Sequence, residues 1–387
     1  MNTDPVAIIA AGAVTPIGAD LDAFWTGLVT GTDGVSRIER FPVGDLRVGL
    51  GGEIKKLKRE RRGDCRASQL LFAAADDLRA RASLGAPPAR VAVVLGTALG
   101  GVEEGEKALA GDPSARRAAA ALYDGPARAL ALRLGARGPV MTVSTACASG
   151  ATALGVAADL LRSDAADLVV AGGYDILCRF VMRGFDALRS LTRDRVRPFD
   201  RRRSGLLLGE GAALVLLARD RDAGERRLGR LLGHASASDG AHVAAPDPEG
   251  RGLEWAIRAA LAEAEVGAAD IDFVSAHGTA TPLNDRVEAA VLRRVLDACA
   301  ERIPVNAIKG ALGHTMGAAA TLEAIMCLLA SREGVVPHTV GLEEHDPECE
   351  LDFVVTAPRA VRPRVSLSTS LGFGGCNAAL VLEGDAR

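Results

Sequence analysis

The chain has 387 residues, 48% of them hydrophobic and 25% charged, with a formal net charge of −3. That length gives two or more domains, or one large duplicated one, and enough chain to bury a sizeable core. A near-neutral balance with only 3% aromatics argues against a nucleic-acid binder, and no uncharged apolar run is long enough to span a membrane.

The opening Met-Asn-Thr-Asp-Pro lacks the basic start of a secretory signal. Seven cysteines without a C-x-x-C pair read as reduced thiols of a cytoplasmic protein with no structural zinc. Only five of the 46 basic residues are lysine: Lys55, Lys56, Lys58, Lys107 and Lys309.

Apolar and β-branched runs predict strands at Val6–Ala10, Val91–Leu95, Val140–Val143, Leu168–Ala171 and Ala212–Ala218. The charged stretch Arg219–Arg230 reads as the most linker-like segment. Further strands are expected at Ile271–Ser275, Pro304–Ala307, Phe353–Thr356, Val365–Ser370 and Ala378–Leu382. Between them, helices are expected at Gly150–Arg162, Gly252–Ala264, Asp285–Ala298 and Ala318–Leu329. Buried strands alternating with helices imply an α/β fold of sheets covered by helices. One internal echo stands out. Cys147 and His314 each precede by three residues a Gly-Ala pair that opens an Ala-rich helix. Such an echo fits two duplicated halves whose helix N-termini face one cleft.

Four segments carry chemistry. Cys147 follows a strand and stands at the start of a helix, where the dipole and free N–H groups favour a thiolate. By itself it reads equally as a nucleophile or a buried structural cysteine. Cys178, Cys299 and Cys327 lie in or beside apolar helical stretches. His277 is delivered by a strand into a His-Gly-Thr-Ala-Thr-Pro turn; alone, it reads as placed for chemistry or as a loop histidine. Lys309 stands five residues before His314 in a glycine-rich turn, and Glu323 lies on the helix that follows. A compact ammonium suits a tight polar cluster, and a structural Lys–Glu pair is the companion reading. Finally, Gly372-Phe373-Gly374-Gly375 lies between two strands. It lacks the features of a phosphate loop and suits backbone donors to an oxyanion.

In this order the four segments resemble the elongating β-ketoacyl-acyl-carrier-protein synthases. The resemblance spans essentially the whole chain. It begins at Ala7–Gly18 with its Thr15-Pro16-Ile17-Gly18 turn, and runs through Arg197-Pro198-Phe199-Asp200 and Leu208-Gly209-Glu210-Gly211 to the last Gly-rich loop. It implies a thiolase-like duplicated fold, two similar halves forming a five-layer αβαβα sandwich. Residues 1–228 would carry the nucleophile and 229–387 the histidine pair. It implies Cys147 as acyl acceptor, His277 and His314 as the pair that assists decarboxylation, and Lys309 and Glu323 as their support. Phe373 would be the aromatic gate, its N–H and that of Cys147 forming the oxyanion hole. Thr279 and Thr281 would bind the pantetheine arm. Gly374 and Asp239 would contribute to substrate binding, Asp239 from a gating loop at Ser236–Pro246. Asp285 and Glu288 match acidic positions that serve structure or a monovalent cation.

The resemblance implies no cofactor, an acyl carrier protein as partner, and a homodimer or a heterodimer with a ketosynthase-like chain-length factor. A malonyl decarboxylase or accessory role is the other alternative. His314 replaces the Asn of the initiating type, and the His-Gly-Thr-Ala-Thr-Pro turn does not fit a thiolase. Cys376 stands where the family usually has Thr and reads as a packing residue. The stretch Gly101–Gly138 is shorter than in fatty-acid members, which favours a specialised polyketide or polyene pathway. Arg59, Arg61, Arg62 and Arg66, or Arg201–Arg203, are candidates for a basic carrier-docking face.

Overall fold

The computed structural model describes residues 3–57, 65–82, 90–224 and 227–385. Five strands build the first half of the sheet: β1 (Val6–Val14), β2 (Val91–Gly96), β3 (Val140–Val143), β4 (Leu168–Asp175) and β5 (Gly211–Arg219). Five more build the second: β6 (Gly229–Ser238), β7 (Phe273–Ser275), β8 (Pro304–Asn306), β9 (Val365–Gly372) and β10 (Cys376–Gly384). The first set is ordered β3-β2-β4-β5-β1 and the second β8-β7-β9-β10-β6. Directions repeat as well. In each set the first three strands are parallel and the last two are antiparallel additions. The fold is therefore a duplication. The two sheets meet at one corner, where Val6–Ile8 pair antiparallel with Gly229–Leu231. The short Asp352–Phe353 strand caps the far edge.

Alternation along the strands sorts apolar side chains into layers. On β5, Ala213, Val215 and Leu217 face the central core, whereas Ala212, Leu214 and Leu216 face the outer one. On β1 a register shift between Ile8 and Ala10 changes the parity. Val6 and Ile8 face the centre before it, Ala11 and Ala13 after it.

The helices fill the layers between. Helix α1 (Arg66–Arg81) covers the outside of the first sheet through Leu70, Leu71, Ala74 and Leu78. Helices α2 (Ser149–Arg162) and α5 (Ala319–Glu333) form the central layer. Helices α3 (Arg251–Glu263) and α4 (Pro282–Leu296) cover the second sheet through Leu253, Ile257, Val291 and Leu292. The central helices lie inside one apolar core between the sheets, and a further core lies under the outer helices of each sheet, giving the five layers of the thiolase-like αβαβα arrangement. Every residue of α5 from Ala319 to Ser331 is buried. That explains a sequence apolar all round rather than along one stripe.

The echo between Cys147 and His314 is where the halves touch. A Cβ on Gly150 would lie 2.7 Å from Gly317 O, and one on Gly317 would lie 2.7 Å from Thr97 Cα. Backbones meet with no room for side chains. Gly317→Ala is expected to destabilise the fold by about 1–3 kcal/mol, seen as a lower calorimetric Tm; an unchanged Tm would contradict this contact.

Some expectations need correction. Apart from Glu225 and Arg226, which lie outside the described residues, Arg219–Arg230 is built into the sheet: Arg219 closes β5, Asp220–Asp222 form a single 3-10 turn, and Gly229 opens β6. Among its described residues, Arg219 pairs with Asp222 at 2.6 Å and Arg230 with Glu383 at 2.9 Å. The strand expected at Phe353–Thr356 is confined to Asp352–Phe353. Arg66 does not belong to a docking face. It is buried against Glu210 at 2.5 Å, 144 residues away. The Arg203 side chain is only 5% exposed and pairs with Asp346. Arg201 and Arg202 are exposed but paired with Glu344 (2.8 Å) and Glu343 (2.5 Å). Arg59, Arg61 and Arg62 lie outside the described residues.

Candidate active site

Cys147 occupies the turn between β3 and α2, with Ala148 capping the helix. Ala146 takes a φ of 50°, a left-handed conformation that only a well-fixed turn sustains. The fixing comes from Ser149. Its hydroxyl accepts the Thr145 N–H (2.9 Å) and lies 2.6 Å from Ala146 O. Gly372 packs against this turn, where a Cβ would come within 3.1 Å of Cys147 N.

Cys147 is 7% exposed, and burial pushes its thiol up to about 12. The Lys309 charge and the backbone N–H of Phe373 oppose this shift. The thiolate expected from the helix start is therefore corrected to a neutral thiol at rest. Removal from water outweighs the Lys309 charge and the Phe373 N–H.

His277 is held through its backbone. Glu288 accepts the N–H of His277 (2.7 Å), the N–H of Gly278 (2.9 Å) and the Thr369 hydroxyl (2.6 Å). Asp285 accepts the N–H groups of Phe199 (2.7 Å) and Ala280 (3.1 Å). Both acidic residues thus hold backbone at the site. Among the described residues no cluster of His, Cys, Asp or Glu has metal-ligand geometry.

Lys309 is 1% exposed at the start of a single helical turn, Lys309–Leu312. Its ammonium donates to Glu323 Oε1 (2.5 Å), to the carbonyl of His277, and to His277 Nδ1 (3.2 Å). Its direct contact is thus His277 rather than His314. His314 Nδ1 accepts the N–H of Met316 (3.3 Å).

With both Nδ1 atoms accepting, the hydrogen of each neutral ring sits on Nε2. His314 Nε2 is buried with no partner among the described residues. The rings stand 5.3 Å apart, nearly perpendicular. Burial, then the Lys309 charge, pushes both histidines well below their ordinary range, and His277 is also lowered by His314. Lys309→Ala would leave Glu323 buried and unpaired. It is expected to cost about 3–5 kcal/mol of stability by denaturant titration; a loss below about 1 kcal/mol would contradict the pairing.

Cys147, His277 and His314 open into one cavity. Thr279, Thr281, Asp239 and Phe373 also line it. The hydroxyls of Thr279 and Thr281 are 3.0 Å apart. Asp239 is hooked to the Gly-rich turn. Its N–H donates to Gly375 O (2.9 Å) and its carboxylate accepts Asn377 Nδ2 (2.7 Å). Gly374 differs from expectation: it does not line this cavity, and its N–H donates to Val243 O (2.9 Å). Its φ of 79° is why the turn needs glycine. Cys376 is half-buried opposite Gly372, and burial raises its thiol.

Sequence reasoning missed Phe185, which stacks on Phe373 with centroids 5.4 Å apart, and Asn284 and Asn377 on the cavity wall. It also missed Asp175. No spacing rule marks any of them.

The family model of the β-ketoacyl synthase N-terminal domain matches residues 3–223, and that of the C-terminal domain matches residues 228–343. The chain belongs to the β-ketoacyl synthases. The 3-oxoacyl-[acyl-carrier-protein] synthase 2 of Synechocystis is 32% identical over 413 residues, 98% of this chain and 97% of the relative. The tetracenomycin polyketide synthase ketoacyl synthase alpha subunit of Streptomyces glaucescens is 34% identical, covering 97% and 96%. The solved ishigamide ketosynthase/chain length factor superposes with a TM-score of 0.93 at 32% identity, covering 99% of each chain. The protein is thus an acyltransferase-class enzyme of thiolase-like fold. No helix among its described residues is long and apolar enough to cross a membrane.

Proposed function

We propose that this enzyme catalyses decarboxylative Claisen condensation of an acyl group held on Cys147 with malonyl-acyl-carrier protein, in fatty-acid or polyketide/polyene chain elongation. The observation that carries the reading is the pair of neutral imidazoles, each with its hydrogen on Nε2, opening into the same cavity as the Cys147 thiol.

In the first half-reaction the Cys147 sulfur attacks the acyl thioester, its proton passing to the departing carrier thiol. The N–H of Phe373, with that of Cys147, stabilises the oxyanion. In the second, the carboxylate of the malonyl group leaves as CO2, and its electron pair forms an enolate. The Nε2–H groups of His277 and His314 donate to the enolate oxygen, and neutral rings give those hydrogens without a strong base. The enolate carbon then attacks the acyl carbonyl, and the Cys147 thiolate departs to take up a proton. Phe373 and Phe185 close the cavity over the nucleophile, and Thr279 and Thr281 receive the pantetheine arm.

The same reading divides the chain into residues 1–228, carrying Cys147, and 229–387, carrying the histidine pair. The repeated strand order, with β6 beginning at Gly229, supports it. The seven free cysteines support a cytoplasmic enzyme. An open sheet edge supports a dimer, with a second copy or with a chain-length-factor homologue. At β3, Val140 and Met141 are each 39% exposed, and nearby Leu132 is 83% exposed.

The test is incubation with carrier proteins bearing a panel of acyl chains, plus malonyl carrier, read by intact-protein mass. Elongated β-ketoacyl carrier supports condensation. Decarboxylation with no elongation of any primer would favour the accessory role.

A further inference from the structure

We infer that Asp175 is the positioning residue that locks the His314 turn against the nucleophile's half of the molecule. This rests on the condensing reading above. Asp175 ends β4, is fully buried, and touches neither Cys147 nor the histidines by hydrogen bond. Four donors converge on its carboxylate. Three come from the loop after β2: the Thr97 hydroxyl (2.7 Å) and the N–H groups of Ala98 (2.8 Å) and Leu99 (3.0 Å). The fourth is the N–H of Gly317 (2.7 Å), three residues past His314 and 142 residues away in sequence. A carboxylate has about four lone-pair sites, so all are filled.

The link continues to the nucleophile. Thr97 O lies 3.3 Å from Ser149 Oγ, the hydroxyl that fixes the Thr145–Ala146 turn before Cys147. One buried chain of polar groups therefore runs from the His314 turn through Asp175 to the Cys147 turn.

The packing explains why so small an anchor suffices. A Cβ on Gly317 would sit 2.8 Å from Asp175 Oδ2 and 3.0 Å from Gly96 O, so the backbones are in direct contact. The two ends differ in how else they are held. The Cys147 turn keeps its own bonds through Ser149, including the N–H of Thr145. The Gly317 N–H has Asp175 as its acceptor. Weakening the carboxylate should loosen the His314 side first. It should slow the decarboxylative half-reaction and spare acyl loading of Cys147. A misplacement near 1 Å at a reacting group costs on the order of 10²-fold in rate.

The test is Asp175→Asn, which turns an acceptor oxygen into an NH2 facing backbone donors. Condensation kcat is expected to fall at least about tenfold. The KM for malonyl-carrier protein and the rate of acyl transfer to Cys147 should stay within about twofold. If Asp175→Asn does not fold, Thr97→Val keeps the charge and removes one donor to Asp175, along with the acceptor of the Gly100 N–H (2.9 Å), and should give the same kcat-only loss in smaller measure. Wild-type condensation rates in a folded variant, or equal loss in both half-reactions, would overturn the positioning role. A wild-type enzyme inactive in both half-reactions would instead overturn the condensing reading.

Discussion

Replacing Cys147 with alanine is expected to abolish acyl transfer: no acyl-enzyme mass should appear with any acyl carrier protein. The other cysteines offer no substitute. Cys327 and Cys349 are buried, and Cys376 sits half-buried across the hairpin from Gly372. Cys147→Gln should separate the two half-reactions. The amide cannot accept an acyl group, yet it leaves His277, His314 and Lys309 in place. Malonyl decarboxylation should therefore persist while condensation is lost. An acyl adduct on the Cys147→Ala protein would remove the nucleophile assignment.

The second large effect belongs to the histidines. His314→Ala removes one of two donors aimed at the developing enolate and should lower malonyl decarboxylation by about 10²–10³-fold. Acyl loading of Cys147 should persist, because the Phe373 N–H, which favours the charged form of the thiol, is untouched. His277→Ala should act in the same direction, with a stability loss added, because the Lys309 ammonium loses its Nδ1 partner. The pH dependence follows from the direction of the shifts. Both rings titrate well below the ordinary histidine range, so neither gains a proton near pH 7. Decarboxylation should show no histidine limb between about pH 6.5 and 8. An acid limb near 6.5 that vanishes in His314→Ala would contradict neutral, pre-set donors.

The candidate site residues were legible because each sits where an element ends. Cys147 precedes a helix, His277 follows a strand, and Lys309 and His314 bracket a glycine-rich turn. The duplication was legible too, through the matching Gly-Ala pairs, and Gly150 and Gly317 prove to be one place where the halves touch. What could not be read was long-range pairing. Arg66 looks like a surface cation until Glu210 is placed beside it. Asp175 looks like a strand end until Gly317 arrives from the other half. Strand β6 was hidden because its last residues, Ala235–Ser238, are small and half-exposed rather than β-branched. The thiol's charge state was misjudged because burial depth is a tertiary property that a helix start does not reveal.

The most direct test of condensation at Cys147 follows both carbon counts in one reaction. The wild-type enzyme is first loaded from an acyl carrier protein, then given malonyl carrier labelled at the free carboxyl carbon, with the enzyme and carrier masses and released CO2 measured together. The expected result is an acyl adduct on Cys147 that disappears as β-ketoacyl carrier forms, with one labelled CO2 released for each chain extended. An acyl-enzyme that persists unextended while labelled CO2 is released would contradict it.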